Sequence, residues 1–213
     1  MILAGGVIDA ARDYHPAFTR ENAPDAPVLR FLSRYVRRLT ADVLRIHPEA
    51  ISVAEEITLP LADFDAGYKL PAYQMIHGGD VHLKGGIVDE FDLIDYANRF
   101  GLVPRWSGWI EAGVLYLIGD PMWWNDVEKI VLKYAPVPAE LTSLKSEIQL
   151  PDTAEEALVA ACANFMAGRV PADVSPPIDR GYFLALANDA HASFLRQLAT
   201  STRVKATYTK EVW

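Results

Sequence analysis

Apolar side chains recur at helical spacing over residues 26–46, and this pattern predicts one long helix with a single buried stripe. The stripe consists of Val28, Leu29, Leu32, Tyr35, Val36, Leu39, Val43 and Ile46. Asp25 is a candidate N-cap for this helix, and Pro27 suits the first turn, where a backbone N–H would have no partner. Because a residue that precedes proline is disfavoured in the helical conformation, Pro48 predicts the end of the helix.

The same spacing predicts two late helices, over residues 152–168 and 179–199, and a short early helix over 7–14. Asp152 and Glu155 have the spacing of a capping box at the start of the first late helix. The apolar stripe of that helix consists of Ala154, Ala157, Leu158, Ala161, Cys162, Phe165 and Met166. Its small side chains indicate a helix that lies close to its neighbours.

Residues 51–134 contain short apolar segments separated by turn signals, which predicts a region rich in β-hairpins. The Gly-Gly-Asp sequence at 78–80 predicts one hairpin turn, and residues 111–113 predict a second. Apolar residues alternate over 127–137, which is typical of a strand with one buried face.

Together these elements predict an α+β fold in which N- and C-terminal helices form a helical bundle around an inserted β-hairpin region. Residues 1–200 are expected to form a single domain, followed by an extended tail over 201–213. This tail could add a strand to the sheet of another protein, with Trp213 as an anchor, or it could be a disordered terminus.

Composition narrows the functional classes. The chain has 20 basic and 28 acidic residues and a formal net charge of −8, which argues against a protein that grips nucleic acid phosphates over a wide surface. A single cysteine excludes an intrachain disulfide and is typical of a reducing compartment. No apolar run is long enough to span a membrane, and the opening segment has no basic leader, so neither a span nor a secretory signal is predicted.

Motifs for catalysis, cofactors or metals are not evident, so the sequence predicts no enzyme activity, no cofactor and no metal site. Cys162 lies within an apolar helical stripe and is expected to be a small buried hydrophobe. The alternative is a small metal- or carboxylate-dependent hydrolase that uses His77, His82, Asp89 and Asp92. That alternative requires the four side chains to converge in one pocket.

Candidate partner-binding residues are exposed cations and aromatic residues. They are Arg30, Arg34, Arg37, Arg38, Trp123, Trp124, Arg203, Lys205, Tyr208 and Trp213. The arginines lie on the outer side of the predicted 26–46 helix, where they form either a solvated face or a docking surface for an acidic neighbour, such as another copy of this chain. The tryptophan pair lies beside a turn, where it would suit an interface.

Five segments of the sequence carry a family resemblance. They are HPAF at 15–18, FLSRYVRRLTADVLRIHPEAI at 31–51, RWSGWIEAGVLYLIGDPMWW at 105–124, VEKIVLKYAPVP at 127–138 and IQLPDTAEEALVAACANFMAGR at 148–169. In this layout, the chain resembles the head-to-tail connector (adaptor) proteins of tailed bacteriophages, which form the ring beneath the portal in the virion neck. The resemblance covers residues 10–200.

The resemblance implies a structural virion protein that assembles as a homo-oligomeric ring of about twelve copies. Such a ring would bridge the portal protein and the next neck or tail protein, with DNA passing through its lumen without sequence-specific contacts. The implied location is the neck of the virion, and the host cytoplasm during assembly. Another tail-side structural protein, such as a terminator, is an alternative within the same class of particle.

Overall fold

Over the residues that the structure describes (1–61, 63–171 and 173–208), this computed structural model has helices and antiparallel sheets, which confirms the predicted α+β class. The α-helices are α1 (Ala4–Arg12), α2 (Asp25–Ile46), α3 (Glu155–Ala167) and α4 (Arg180–Tyr208). The strands are β1 (Ile2–Leu3), β2 (Val53–Thr58), β3 (Tyr68–Lys69), β4 (Tyr73–Leu83), β5 (Val88–Glu90), β6 (Asp92–Leu93), β7 (Ser107–Glu111), β8 (Val114–Leu117), β9 (Val127–Pro136) and β10 (Glu147–Ile148).

The chain divides into two compact units, where the sequence predicted a single domain over 1–200. The helical unit contains the residues up to Ile51 and those from Pro138 onward, whereas the sheet unit contains residues 52–137. Each unit encloses its own cluster of buried apolar side chains. None of the described helices is both long and apolar enough to cross a membrane.

Helix α3 lies at the centre of the helical unit, where it contacts α1, α2 and α4. Burial extends beyond the predicted stripe, because Val159, Ala160 and Ala163 are also buried. A helix that is apolar on all sides is enclosed by other elements rather than placed at a surface. The predicted Asp152 cap is absent, since no side chain caps the N-terminus of α3; a 3₁₀ turn over Asp152–Ala154 leads into the helix.

Helix α2 covers the predicted range and buries most of the predicted stripe, with Tyr35 and Ile46 only partly buried. Its first residue, however, has a different role from the predicted cap. Asp25 does not cap the helix; its carboxylate accepts a hydrogen bond from Arg12 Nη2 at 2.7 Å. The Arg12 guanidinium also donates to the carbonyl oxygens of Phe18, at 2.8 Å, and Ala23, at 2.9 Å. Arg12 therefore fixes the loop between α1 and α2. Helix α1 itself begins three residues before the predicted range of 7–14.

Helix α4 corrects the predicted tail. The sequence predicted an extended segment from residue 201, but the helix continues to Tyr208. Its buried side chains are Phe183, Ala187, Ala190, Phe194 and Leu198. Residues 209–213 of the predicted tail lie outside the described part of the chain.

The sheet unit contains two four-stranded sheets, ordered β2-β9-β4-β5 and β3-β8-β7-β6. The predicted strand over 127–137 corresponds to β9, in which Ile130 and Leu132 are fully buried. The predicted turn over 111–113 is also confirmed between β7 and β8. Ala112 and Gly113 both have positive φ there, at 50° and 78°, which is the geometry of a two-residue hairpin turn.

The prediction of a hairpin turn at 78–80 was wrong, because β4 continues through these residues and turns only after Leu83. The register between β4 and β9 shifts between Ile76 and Gly78, so this glycine marks a β-bulge. A Cβ atom at Gly79 would lie 2.9 Å from Leu132 Cδ2. The glycines thus permit a bulge and a close approach within a strand.

The central position of α3 predicts the effect of a core deletion. Leu158 is fully buried, so Leu158→Ala should lower the free energy of unfolding by about 2–5 kcal/mol. Urea unfolding followed by circular dichroism measures this loss. The exposed Glu156 on the same helix provides the control, and Glu156→Ala should change stability by no more than ~0.5 kcal/mol. A loss below ~1 kcal/mol for Leu158→Ala would contradict the burial of α3.

Candidate functional site

Helix α2 exposes a row of arginines on the side opposite its buried stripe. Arg30, Arg34, Arg37 and Arg38 are all exposed. Their spacing of four, three and one residues places them on one side of a helix with 3.6 residues per turn. This is the surface that the sequence identified as either a solvated face or a docking surface.

Two of these arginines border a pocket between α2 and α3. This arginine pocket is lined by Pro27, Arg30, Phe31, Arg34, Phe165 and Arg169, and has a volume of about 290 Å³. Phe31 and Phe165 stack at its floor, with ring centroids 4.5 Å apart and an interplanar angle of 12°. The guanidinium of Arg169 lies over the Phe165 ring, 4.9 Å from its centroid. The pocket therefore combines an apolar aromatic floor with three cationic side chains.

The arginines of the pocket have no counter-ion within the described part of the chain. Among those residues, no carboxylate lies within 4.0 Å of Arg30, Arg34 or Arg169. Arg12 and Arg20, in contrast, both pair with Asp25, at 2.7 and 3.4 Å. The pocket therefore holds three cationic side chains without a carboxylate partner, on a chain that has more acidic than basic residues.

A polar network lies next to the aromatic stack. The Tyr35 ring stacks on Phe31, with centroids 6.0 Å apart, and the Tyr35 hydroxyl is 2.9 Å from Nδ1 of His191 on α4. Nε2 of His191 lies 3.5 Å from Oδ2 of Asp42, which also pairs with Arg45. Burial raises the pKa of Tyr35 to about 12, so its hydroxyl stays protonated near neutral pH. The network joins α2 to α4 beside the pocket.

The sheet unit has a second charged surface, at strand β5. This β5 edge, residues 87–90, contains β5, the outer strand of its sheet, and the residue before it. Asp89 and Glu90 are exposed, as are the apolar side chains of Ile87 (63%) and Val88 (56%). Over the described residues, neither carboxylate has a basic partner within 4.0 Å. The β5 edge therefore carries unpaired acidic side chains next to exposed apolar ones.

The residues of the hydrolase alternative occupy different strands and positions. His77 and His82 are five residues apart along β4, a separation of roughly 15 Å in an extended strand. His77 Nε2 is hydrogen-bonded to the Ser52 hydroxyl. Asp89 lies on β5, whereas Asp92 lies on β6 in the other sheet. In the described residues, no three His, Cys, Asp or Glu side chains are grouped so that they could hold a metal ion.

The predicted tryptophan pair is split between surface and core. Trp123 is exposed at 56%, but Trp124 is only 2% exposed. The Trp124 indole donates a hydrogen bond to the carbonyl of Ile118 at 3.1 Å and packs edge-on against Trp106. Trp124 is therefore a core residue of the sheet unit, and only Trp123 remains available as a contact residue.

Sequence reasoning missed an exposed apolar loop at residues 96–102. Phe100 and Leu102 are almost fully exposed, and Tyr96 is half exposed. The guanidinium of Arg99 lies 3.3 Å from the Tyr96 ring centroid and 4.2 Å from that of Phe100. The only sequence signal was the alternation of aromatic and apolar residues with Arg99 and Gly101, which equally suits a buried strand.

The C-terminal candidate residues fall at the limit of the described chain. Arg203, Lys205 and Tyr208 lie within α4, where the backbone is helical. Trp213 lies outside the described residues. These positions therefore remain predictions from the sequence.

Cys162 has the character predicted for it. Its side chain is fully buried in α3, and burial raises the pKa of the thiol to about 12. A nucleophilic cysteine requires an accessible thiolate, which this environment disfavours.

Comparison with known proteins finds no matching family model and no matching curated sequence. The functional inference therefore depends on the residues and on the surfaces that they form. Three such surfaces stand out: the arginine pocket, the β5 edge and the apolar loop at 96–102.

The buried thiol predicts a specific pH dependence. In the unfolded chain Cys162 ionises near its ordinary pKa of 9.0, whereas the folded protein keeps the proton to about 12. The unfolded state then binds fewer protons, so stability should fall as pH rises from 9 towards 12. Urea midpoints across this range should fall less steeply for Cys162→Ala than for the wild type. Equal slopes, or rapid maleimide labelling of the native wild type at pH 8, would contradict the burial of the thiol.

Proposed function

We propose that this protein is a head-to-tail connector subunit of a tailed bacteriophage, with a structural rather than an enzymatic role. About twelve copies form a ring in the neck of the virion. The ring binds the portal protein on one side and the next neck or tail protein on the other. DNA passes through its lumen.

The observation that supports this proposal most directly is the unpaired arginine pocket on a chain with a net charge of −8. Exposed guanidinium groups beside an aromatic floor are suited to contacts with carboxylates of another protein surface. A ring subunit requires contacts of this kind, in which one face meets a different face of its neighbour.

The helical unit supplies the ring wall in this proposal. The contacts of α3 with α1, α2 and α4 support this role for the bundle that the sequence predicts from 26–46, 152–168 and 179–199. Close packing of a helix through alanines leaves little free volume and gives a rigid wall. Surfaces on a rigid wall keep their shape when they dock.

The net acidic charge is compatible with the passage of DNA. A protein binds duplex DNA mainly by neutralising phosphates with Lys and Arg, and an excess of acidic residues opposes this. A lumen with net negative charge would let the duplex slide instead of holding it. Sequence-specific contacts are not required for this role.

Assembly with the cognate portal protein tests the proposal. Mixing the purified chain with its portal ring should yield a complex that carries about twelve copies of the chain. Native mass spectrometry and electron microscopy measure the copy number. The isolated portal ring and the isolated chain provide the controls. A chain that stays monomeric and leaves the portal ring unbound would contradict the connector role.

Truncation after Thr200 separates folding from docking. Phe183, Ala187, Ala190, Phe194 and Leu198, the buried residues of α4, all precede the truncation, so the truncated chain should retain its thermal midpoint. Portal binding should weaken, because the candidate contacts Arg203, Lys205, Tyr208 and Trp213 are removed. Calorimetry measures the midpoint and co-sedimentation measures binding. Unchanged binding would show that residues 201–213 are not part of the interface.

A further inference from the structure

Two surfaces of this chain are complementary in both charge and apolar character. The arginine pocket presents Arg30, Arg34 and Arg169 around the stacked rings of Phe31 and Phe165. The β5 edge presents two carboxylates beside two exposed aliphatic side chains. The pocket supplies cations and aromatic rings, and the β5 edge supplies carboxylates and aliphatic side chains.

We infer that the arginine pocket of one copy binds the β5 edge of a second copy. In this contact, the Glu90 carboxylate reaches the guanidinium groups of the pocket, and Val88, on the same face of β5, lies against the aromatic floor. Asp89, on the opposite face of the strand, adds negative charge at the border of the contact. The inference deepens the proposed function, on whose ring it rests, because it names the two surfaces that meet between neighbouring subunits.

The electrostatics of the β5 edge favour a cation from outside the chain. Glu90 lies directly opposite Asp80 on β4, and like charges opposite each other destabilise a sheet. Lys133 pairs with Asp80 at 2.7 Å. Asp89 accepts a hydrogen bond from the adjacent backbone N–H of Glu90 at 2.9 Å. An arginine supplied by a neighbour would relieve this excess of negative charge.

The arginine pocket has the opposite imbalance, an excess of positive charge. Arg30 and Arg34 are one helical turn apart on α2, and Arg169 approaches from the end of α3. Three cations held close together repel one another, and a carboxylate between them reduces that repulsion. Planar guanidinium groups can bind carboxylates with two parallel hydrogen bonds, which fixes the orientation of the contact.

The two surfaces are different, so a single contact between two copies leaves one pocket and one β5 edge unoccupied. In the ring of the proposed function, this heterologous contact repeats from copy to copy, and the rotation between copies closes. A two-fold dimer that pairs both surfaces reciprocally would use the same residues and leave no free surface, and the copy number in the portal complex distinguishes the two arrangements.

Directed cross-linking tests the contact while keeping the charged residues in place. Ala26→Cys puts a thiol on α2 one turn before Arg30, and Ile87→Cys puts one beside Val88 and Asp89. The native Cys162 is buried and does not compete for the reagent. The two variants are mixed at their highest soluble concentration, and in the portal complex, and are treated with a short bis-maleimide. Gel electrophoresis then measures the yield of covalent dimer.

The mixture should yield covalent dimer, and each variant alone should not, because each variant carries an accessible thiol on only one of the two surfaces. The matched control is Ala26→Cys mixed with Glu111→Cys, in which the thiol replaces an exposed carboxylate on the other sheet of the same unit. A yield no higher than that of this control, both in free solution and in the portal complex, overturns the inference.

Charge reversal supplies a second measurement. A misfolded variant loses the cross-link, but it does not regain it when it is mixed with the other reversed chain. Adding Arg30→Glu and Arg34→Glu to the Ala26→Cys chain should lower the yield roughly tenfold. Adding Asp89→Arg and Glu90→Arg to the Ile87→Cys chain should have a similar effect. Mixing the two reversed chains should restore the yield. If the yield is not restored, or if the Arg30→Glu and Arg34→Glu changes leave it unchanged, the inference is wrong.

The outcomes separate this inference from the connector role. A portal complex with a complete ring but no Ala26–Ile87 cross-link would overturn the contact and leave the proposed function in place. A cross-link in free solution, by a chain that does not bind the portal, would support the contact and contradict the connector role.

Discussion

The burial of α3 by α1, α2 and α4 is the constraint on which the helical unit depends. Alanines at 157, 160, 161, 163 and 167 let the neighbouring backbones approach closely, and Leu158 and Met166 fill the remaining volume. The position of α2 against α3 also brings Phe31 to Phe165 and so forms the arginine pocket. The arginine pocket is therefore a consequence of core packing.

Electrostatic pairing divides the arginines into two groups. Arg12 is almost buried, and its bonds to Asp25 and to two carbonyl oxygens hold the loop that leads into α2. The arginines of the pocket are exposed and have no such partners within the described chain. An exposed ion pair contributes little to stability, so leaving these arginines without partners costs the fold little.

The sheet unit reaches its form through local backbone features. Gly78 and Gly79 allow β4 to bulge and to pass close to Leu132, so that one long strand pairs with β9 before it turns. That turn leads into β5, which pairs on one side only and carries exposed carboxylates. Charged side chains on an edge strand discourage indiscriminate strand pairing. A partner with matching cations can still bind there.

Periodicity along the sequence determined the α+β class, the extent of α2, the strand β9 and the turn at 112–113, because these depend on spacing within one segment. It also identified the arginine row of α2. Only the tertiary structure decided that Trp124 is core, that residues 78–80 continue a strand and that α4 extends to Tyr208. The arginine pocket could also be found only from the tertiary structure, since Phe165 and Arg169 are more than a hundred residues from Arg30 in sequence. Local patterns specify elements, whereas burial and pairing depend on which distant elements meet.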